Sequence, residues 1–218
     1  MQDFRRPTHT TSSLGVVNAE RGFSMLEVMI SMFILATGLF GLIGVQLMAH
    51  KSELDSYQRA QALVLLGDII DRINLNRKAA TCYAITTSAT NGTPFLGAGG
   101  SGSYSTGSYS CSSLASNVQA STRAQNDLQQ IDAALKGAAE ALSGNQVGAM
   151  IGARGCIGYD STTQRYVVAV AWQGSSAGFD PTGWTAAPDV AKNCAKGLYG
   201  AENMRRVVWN TLMVANLS

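Results

Sequence analysis

Apolar residues are distributed very unevenly along this chain. Residues 23–48 are almost wholly apolar; the polar exceptions are Ser24, Glu27, Ser31, Thr37 and Gln46. As a helix this run would extend about 39 Å at 1.5 Å per residue. That exceeds the ~30 Å of a bilayer's hydrocarbon core, so the run is long enough to cross with some tilt. From residue 49 the pattern turns amphipathic. Ala62, Leu63, Leu66, Ile69, Ile70 and Ile73 recur at helical spacing, while Asp55, Arg59, Asp68, Asp71 and Arg72 lie mostly elsewhere. With no proline between residues 51 and 78 and Gly67 the only breaker, the spacing predicts one helix through residues 23–48 and 49–80, its second half laid against a domain.

Residues 81–218 read as that domain. Residues 81–113 are rich in Gly, Ser, Thr and Tyr and predict a loop, with Tyr104 and Tyr109 offering contact surface. Residues 122–142 predict a second helix on the stripe Ala124, Leu128, Ile131, Leu135 and Leu142, with Gly144 as its stop. Residues 156–214 change period. A hairpin is predicted over 156–159 and 166–172 around a turn at 160–164, then a loop at 174–188 and a last strand over 206–214. The class is α+β: a long N-terminal helix, a shorter helix and a small antiparallel sheet.

Charge orients this arrangement. Arg5, Arg6 and Arg21 precede the apolar run, so the positive-inside rule leaves the N-terminus in the cytoplasm and exports the rest. The formal net charge is +2 with no basic stripe, so no nucleic-acid partner is expected. Arg205-Arg206 is the nearest candidate patch and reads as a solvated turn. The apolar run is about twice the 7–15 residues of a secretory signal core, so it reads as retained. Gly38, Gly41 and Gly44 within it permit close helix packing, and each costs about 1 kcal/mol of helix propensity.

The four cysteines are Cys82, Cys111, Cys156 and Cys194, none in a CxxC spacing, which argues against a zinc or thioredoxin-like site. In an exported region they suggest two disulfides, with three pairings open. Cys82–Cys111 with Cys156–Cys194 is the favoured pairing, because each bridge closes a compact loop. Each would contribute about 2–4 kcal/mol.

Glu27 stands out, since a carboxylate at mid-membrane costs roughly 2.5–3.5 kcal/mol on insertion scales. The string around it is Arg21-Gly22-Phe23-Ser24-Met25-Leu26-Glu27. It resembles the class III signal of type IV prepilins. The resemblance implies that a prepilin peptidase cuts between Gly22 and Phe23 and methylates the new Phe23 amine. Residues 1–22 are then a leader. Glu27 would pair with a liberated amine, of a neighbouring subunit or of its own chain. The leader is longer than those of major pilins, and Ser24-Met25 replaces the commoner Thr-Leu; Gly22, Phe23 and Glu27 are all kept.

Further strings extend the likeness: Gly38-Leu39-Phe40-Gly41-Leu42, Gly152-Ala153-Arg154-Gly155-Cys156-Ile157, Val170-Ala171-Trp172-Gln173-Gly174, Asn193-Cys194-Ala195-Lys196-Gly197-Leu198-Tyr199-Gly200 and Met204-Arg205-Arg206-Val207-Val208. Together they look like minor pilins of the PilV family. That resemblance implies a subunit that helps start a type IV pilus and sits near its tip. The implied partners are major and other minor pilins and a tip adhesin, after residence in the bacterial inner membrane and exposure of the C-terminal domain to the periplasm.

Enzyme chemistry finds no foothold. A mature chain would keep one histidine, His50, with no Ser or Cys partner evident. The carboxylates Asp127, Asp132, Glu140, Asp160, Asp180, Asp189 and Glu202 are scattered. No phosphate loop, dinucleotide fingerprint or metal-ligand cluster is present in the sequence, so no cofactor, metal or small-molecule substrate is expected. Two other readings remain. A type II secretion pseudopilin would share the anchor and Glu27; a single-pass anchored receptor or enzyme domain would predict no processing after Gly22.

Overall fold

A computed structural model describes residues 22–108, 111, 117–137, 141–142, 145–146 and 150–214. The leader up to Arg21, with Arg5 and Arg6, and also Tyr109, Glu140 and Gly144 lie outside the described residues. The chain forms two units, Met1–Gln46 and Leu47–Ser218.

Helix α1 (Met25–Leu75) supplies nearly all of the described first unit and opens the second. In the first unit every described residue is exposed, apolar side chains included. Ser31 and Thr37 turn their hydroxyls back to the carbonyls of Val28 (2.9 Å) and Ile34 (2.9 Å), so neither leaves a bare donor on the apolar surface. This stretch is long and apolar enough to cross a membrane.

In the second unit α1 buries Gln58, Ala62, Leu66, Ile69 and Ile73, a stripe with the 3.6-residue period. The helix ends at Leu75, earlier than expected, and a 3₁₀ turn (Arg77–Ala79) and a short α2 (Ala80–Tyr83) follow. Asn76 makes the break. Its backbone leaves the helical region (φ −118°, ψ 49°), and its side-chain amide donates to Ala120 O at 2.9 Å and Tyr83 Oη at 3.2 Å. Tyr83 passes its hydroxyl proton contact on to Asp127. Arg72 donates to Asp68 (2.8 Å) and Asp127 (3.0 Å) in the same cluster. Burial opposes the guanidinium's charge, but Asp68 and then Asp127 outweigh it and hold its pKa above the ordinary value.

Helix α3 (Val118–Leu135) differs from the expected 122–142 at both ends. It starts early because Asn117 caps it, accepting the Ala120 N–H at 3.2 Å. It stops early because Gly137 takes the left-handed conformation (φ 85°) and donates to Ala134 O at 3.0 Å. Beyond it lies a two-stranded ribbon of β2 (Ala141–Leu142) and β3 (Asn145–Gln146). Buried Ala124, Leu128, Ile131 and Leu135 join the stripe of α1 in the main core.

The antiparallel sheet runs in the order β1 (Leu96–Gly97), β4 (Arg154–Asp160), β5 (Arg165–Gln173), β6 (Arg205–Leu212). Its central strand β5 is apolar on both faces. Tyr166, Val168, Val170 and Trp172 face the main core, while Val167, Ala169 and Ala171 face a second one completed by α4 (Asp189–Asn193). Asp160 closes the β4–β5 turn by accepting the Thr162 N–H (2.8 Å) and the Thr163 hydroxyl (2.9 Å). The Thr163 hydroxyl, then the Thr162 amide, hold its carboxyl below the ordinary value.

Two expectations are corrected. The segment 81–113 is not simply a loop. Phe95 and Leu96 are fully buried, β1 joins the sheet, and Arg154 reaches out to Gly99 O at 2.7 Å while lying over the rings of Tyr199 (4.8 Å) and Phe95 (5.5 Å). Nor is Arg205-Arg206 a solvated turn. Arg205 is fully buried, and Arg206 donates to Ser176 O (2.7 Å) and Asn203 O (2.9 Å), fastening the loop that follows β5.

Candidate functional site

The segment around Glu27 is built by the start of α1. Ser24 is the N-cap residue. Its carbonyl accepts the amides of Glu27 (3.0 Å) and Val28 (3.2 Å), and its hydroxyl accepts that of Leu26 at 3.3 Å. Glu27 therefore occupies the third helical position, in the Ser-x-x-Glu spacing of a capping box. Spacing alone carried this signal; sequence reasoning treated Ser24 only as a departure from the commoner threonine.

A carboxylate in the first turn is favoured by the helix dipole. Among the described residues, however, the Glu27 side chain makes no hydrogen bond or ion pair. It is exposed on a helix whose neighbouring apolar side chains are equally uncovered: Phe23 is 83% and Met25 87% accessible. Gly22 and Phe23 precede the helix in irregular backbone. Gly38, Gly41 and Gly44 have nothing within 4 Å of where a Cβ would stand, leaving three notches on the uncovered helix.

The cysteines are joined as Cys82–Cys111 and Cys156–Cys194. The first ties α2 to the chain that leads into α3. The second ties β4 to the end of α4, where Asn193 also donates to Ala89 O at 3.2 Å. Arg205 finishes that corner, donating to Lys192 O (2.8 Å), Cys194 O (3.1 Å) and the Glu202 carboxylate (2.8 Å). Its role was not legible in sequence, because its acceptors are carbonyls brought in by the fold.

His50 lies in α1 and faces Glu53 at 3.7 Å, both side chains more than three-quarters exposed. Among the described residues no group of three or more His, Cys, Asp or Glu side chains is placed to hold a metal ion.

Comparison with curated proteins and with solved structures found no match to this chain. Residues 17–43 match the prokaryotic N-terminal methylation motif, the prepilin signal of type IV pilin-like proteins, and this stretch contains Gly22, Phe23, Ser24 and Glu27.

Proposed function

We propose that this chain is a minor pilin of a type IV pilus, of the PilV kind, and that it acts by assembly, not by catalysis. Prepilin peptidase cuts between Gly22 and Phe23 and the Phe23 amine is methylated. The subunit waits in the inner membrane with its C-terminal domain in the periplasm. It then packs against major and other minor pilins at the start of a filament, where it presents tip components such as an adhesin.

One observation carries this reading: a carboxylate with no partner among the described residues, Glu27, in the first turn of an uncovered apolar helix, four residues after a Gly–Phe junction in a methylation motif. Cleavage at that junction creates a cation close to the positive end of the α1 dipole, where it is unfavourable. Glu27 is unfavourable in lipid for the opposite reason. When subunits stack, Glu27 of one neutralises the Phe23 amine of the next, and each removes the other's penalty. A buried pair adds little net stability, but a subunit lacking one partner leaves an uncompensated charge costing about 3–5 kcal/mol. The pair thus selects register along the filament.

Glu27→Ala tests this. The variant should insert into the membrane and be processed normally, yet be at least tenfold depleted in sheared filaments. Recovery at the wild-type level would refute the pairing.

A further inference from the structure

Among the described residues, strand β6 is an edge of the sheet, paired with β5 alone. Successive backbone groups of a strand point to alternate sides, so the outward amides are those of Arg205, Val207, Trp209 and Thr211. The two ends of this edge are occupied. Arg205 N–H donates to Glu202 O, and Thr211 N–H to its neighbour's side chain, Asn210 Oδ1, at 2.8 Å. Val207 and Trp209, between them, make no further backbone hydrogen bond among the described residues.

This open stretch adjoins two cavities. One, of about 800 Å³, lies between the α1 residues 48–59 and the first half of β6, with Val207 and Val208 in its wall. The other, of about 450 Å³, is lined by Trp209. Phe179 and Trp184 line both, so the two cavities share an aromatic ridge. The larger cavity gathers Lys51, Arg59 and Arg206, none of which forms an ion pair with a described carboxylate. Asp55 is its one carboxylate, and that accepts the Ser175 N–H at 3.0 Å. Trp172, only 3% exposed, also lines it, and its buried indole N–H has no acceptor among the described residues. Three cations without a described carboxylate partner call for an occupant rich in negative charge.

We infer that the β6 edge binds an extended acidic peptide segment of another protein, added as a fifth strand along Val207 to Trp209, with its carboxylates on Lys51, Arg59 and Arg206. Its backbone pairs with the open edge and its apolar side chains rest on Phe179 and Trp184. A lipid phosphate offers the same charge and reaches Lys51, three residues past Met48, but not the whole cluster. Arg59 lies 11 residues beyond Met48, the last residue of the apolar run, or about 16 Å along a helix. A headgroup layer is only about 5–8 Å thick on each side of the bilayer. This surface goes beyond the assembly role proposed above and does not depend on cleavage at Gly22.

The test uses the full chain in nanodiscs of zwitterionic lipid. The probe is a fluorescent octapeptide alternating glutamate with valine, followed by anisotropy and by tryptophan emission. Two controls replace every glutamate by glutamine or methylate every second backbone amide. The expected result is saturable binding that weakens with salt, at least tenfold loss with either control, and at least tenfold loss in the double variant Lys51→Gln/Arg59→Gln, whose side chains are exposed and outside the core. No binding, equal binding of the glutamine or N-methylated peptide, or displacement of the peptide by nanodiscs of anionic lipid would each overturn the proposal.

Discussion

The buried guanidinium of Arg205 donates at 3.1 Å to the carbonyl of Cys194, the residue that ends α4 and is disulfide-bonded to Cys156 of β4. A strand, a helix end and a covalent bridge thus meet on one cation, which Glu202 neutralises at 2.6 Å. Arg205→Met roughly keeps the volume but leaves two carbonyls without their donor and the Glu202 carboxylate with the Gly197 N–H alone. It should lower unfolding free energy by about 3–5 kcal/mol, measured by denaturant titration of the full chain in detergent. A loss under about 0.5 kcal/mol would show that α4 is held without it.

Gly92 packs against the same corner. It adopts φ +62°, and a Cβ there would stand 1.9 Å from the backbone carbonyl oxygen of Asn193. Gly197 also has positive φ (+78°) but nothing within 4 Å. Gly197→Ala should cost about 1–2 kcal/mol, the left-handed penalty alone. Gly92→Ala should cost distinctly more, since backbone must move. Equal melting temperatures for the two variants would contradict the close approach.

Asp180 caps the turn Pro181–Gly183, accepting the Thr182 hydroxyl at 2.7 Å and its amide at 2.8 Å. The hydroxyl, then the amide, hold the carboxyl below its ordinary value, against a small opposing effect of burial and with help from Arg205 and Lys196. A depressed folded-state pKa means stabilisation that is complete above the unfolded value of about 3.9 and is lost as pH falls through the folded value. Thr182→Val should therefore melt below wild type at about pH 7, and the gap should shrink as pH drops below ~4. A gap independent of pH would exclude the hydroxyl as the main cause.

The long helix and the hairpin were legible because each carries many periods of one pattern. The uninterrupted apolar run of β5 suits a strand buried on both faces. What sequence reasoning misplaced depended on single backbone choices or distant partners. Gly137 and Gly144 are equivalent stop signals on paper; only the fold shows that Gly137 takes the left-handed turn. The break at Asn76 depends on acceptors in α2 and α3. Strand β1 is two residues long in a Gly/Ser-rich stretch and exists because Arg154 and Gly155 lie opposite it. At the candidate site the Gly22, Phe23 and Glu27 string lies within the stretch that matches the methylation motif, while the capping role of Ser24 was overlooked although its spacing was in view.

The most direct measurement is the mass and sequence of the mature N-terminus, taken from wild type and from a Gly22→Trp variant. Wild type is predicted to begin at Phe23 carrying one extra methyl group on its amine, and the variant to keep its 22-residue leader. A wild-type chain that begins at Met1 with an unmodified Phe23 would contradict the account.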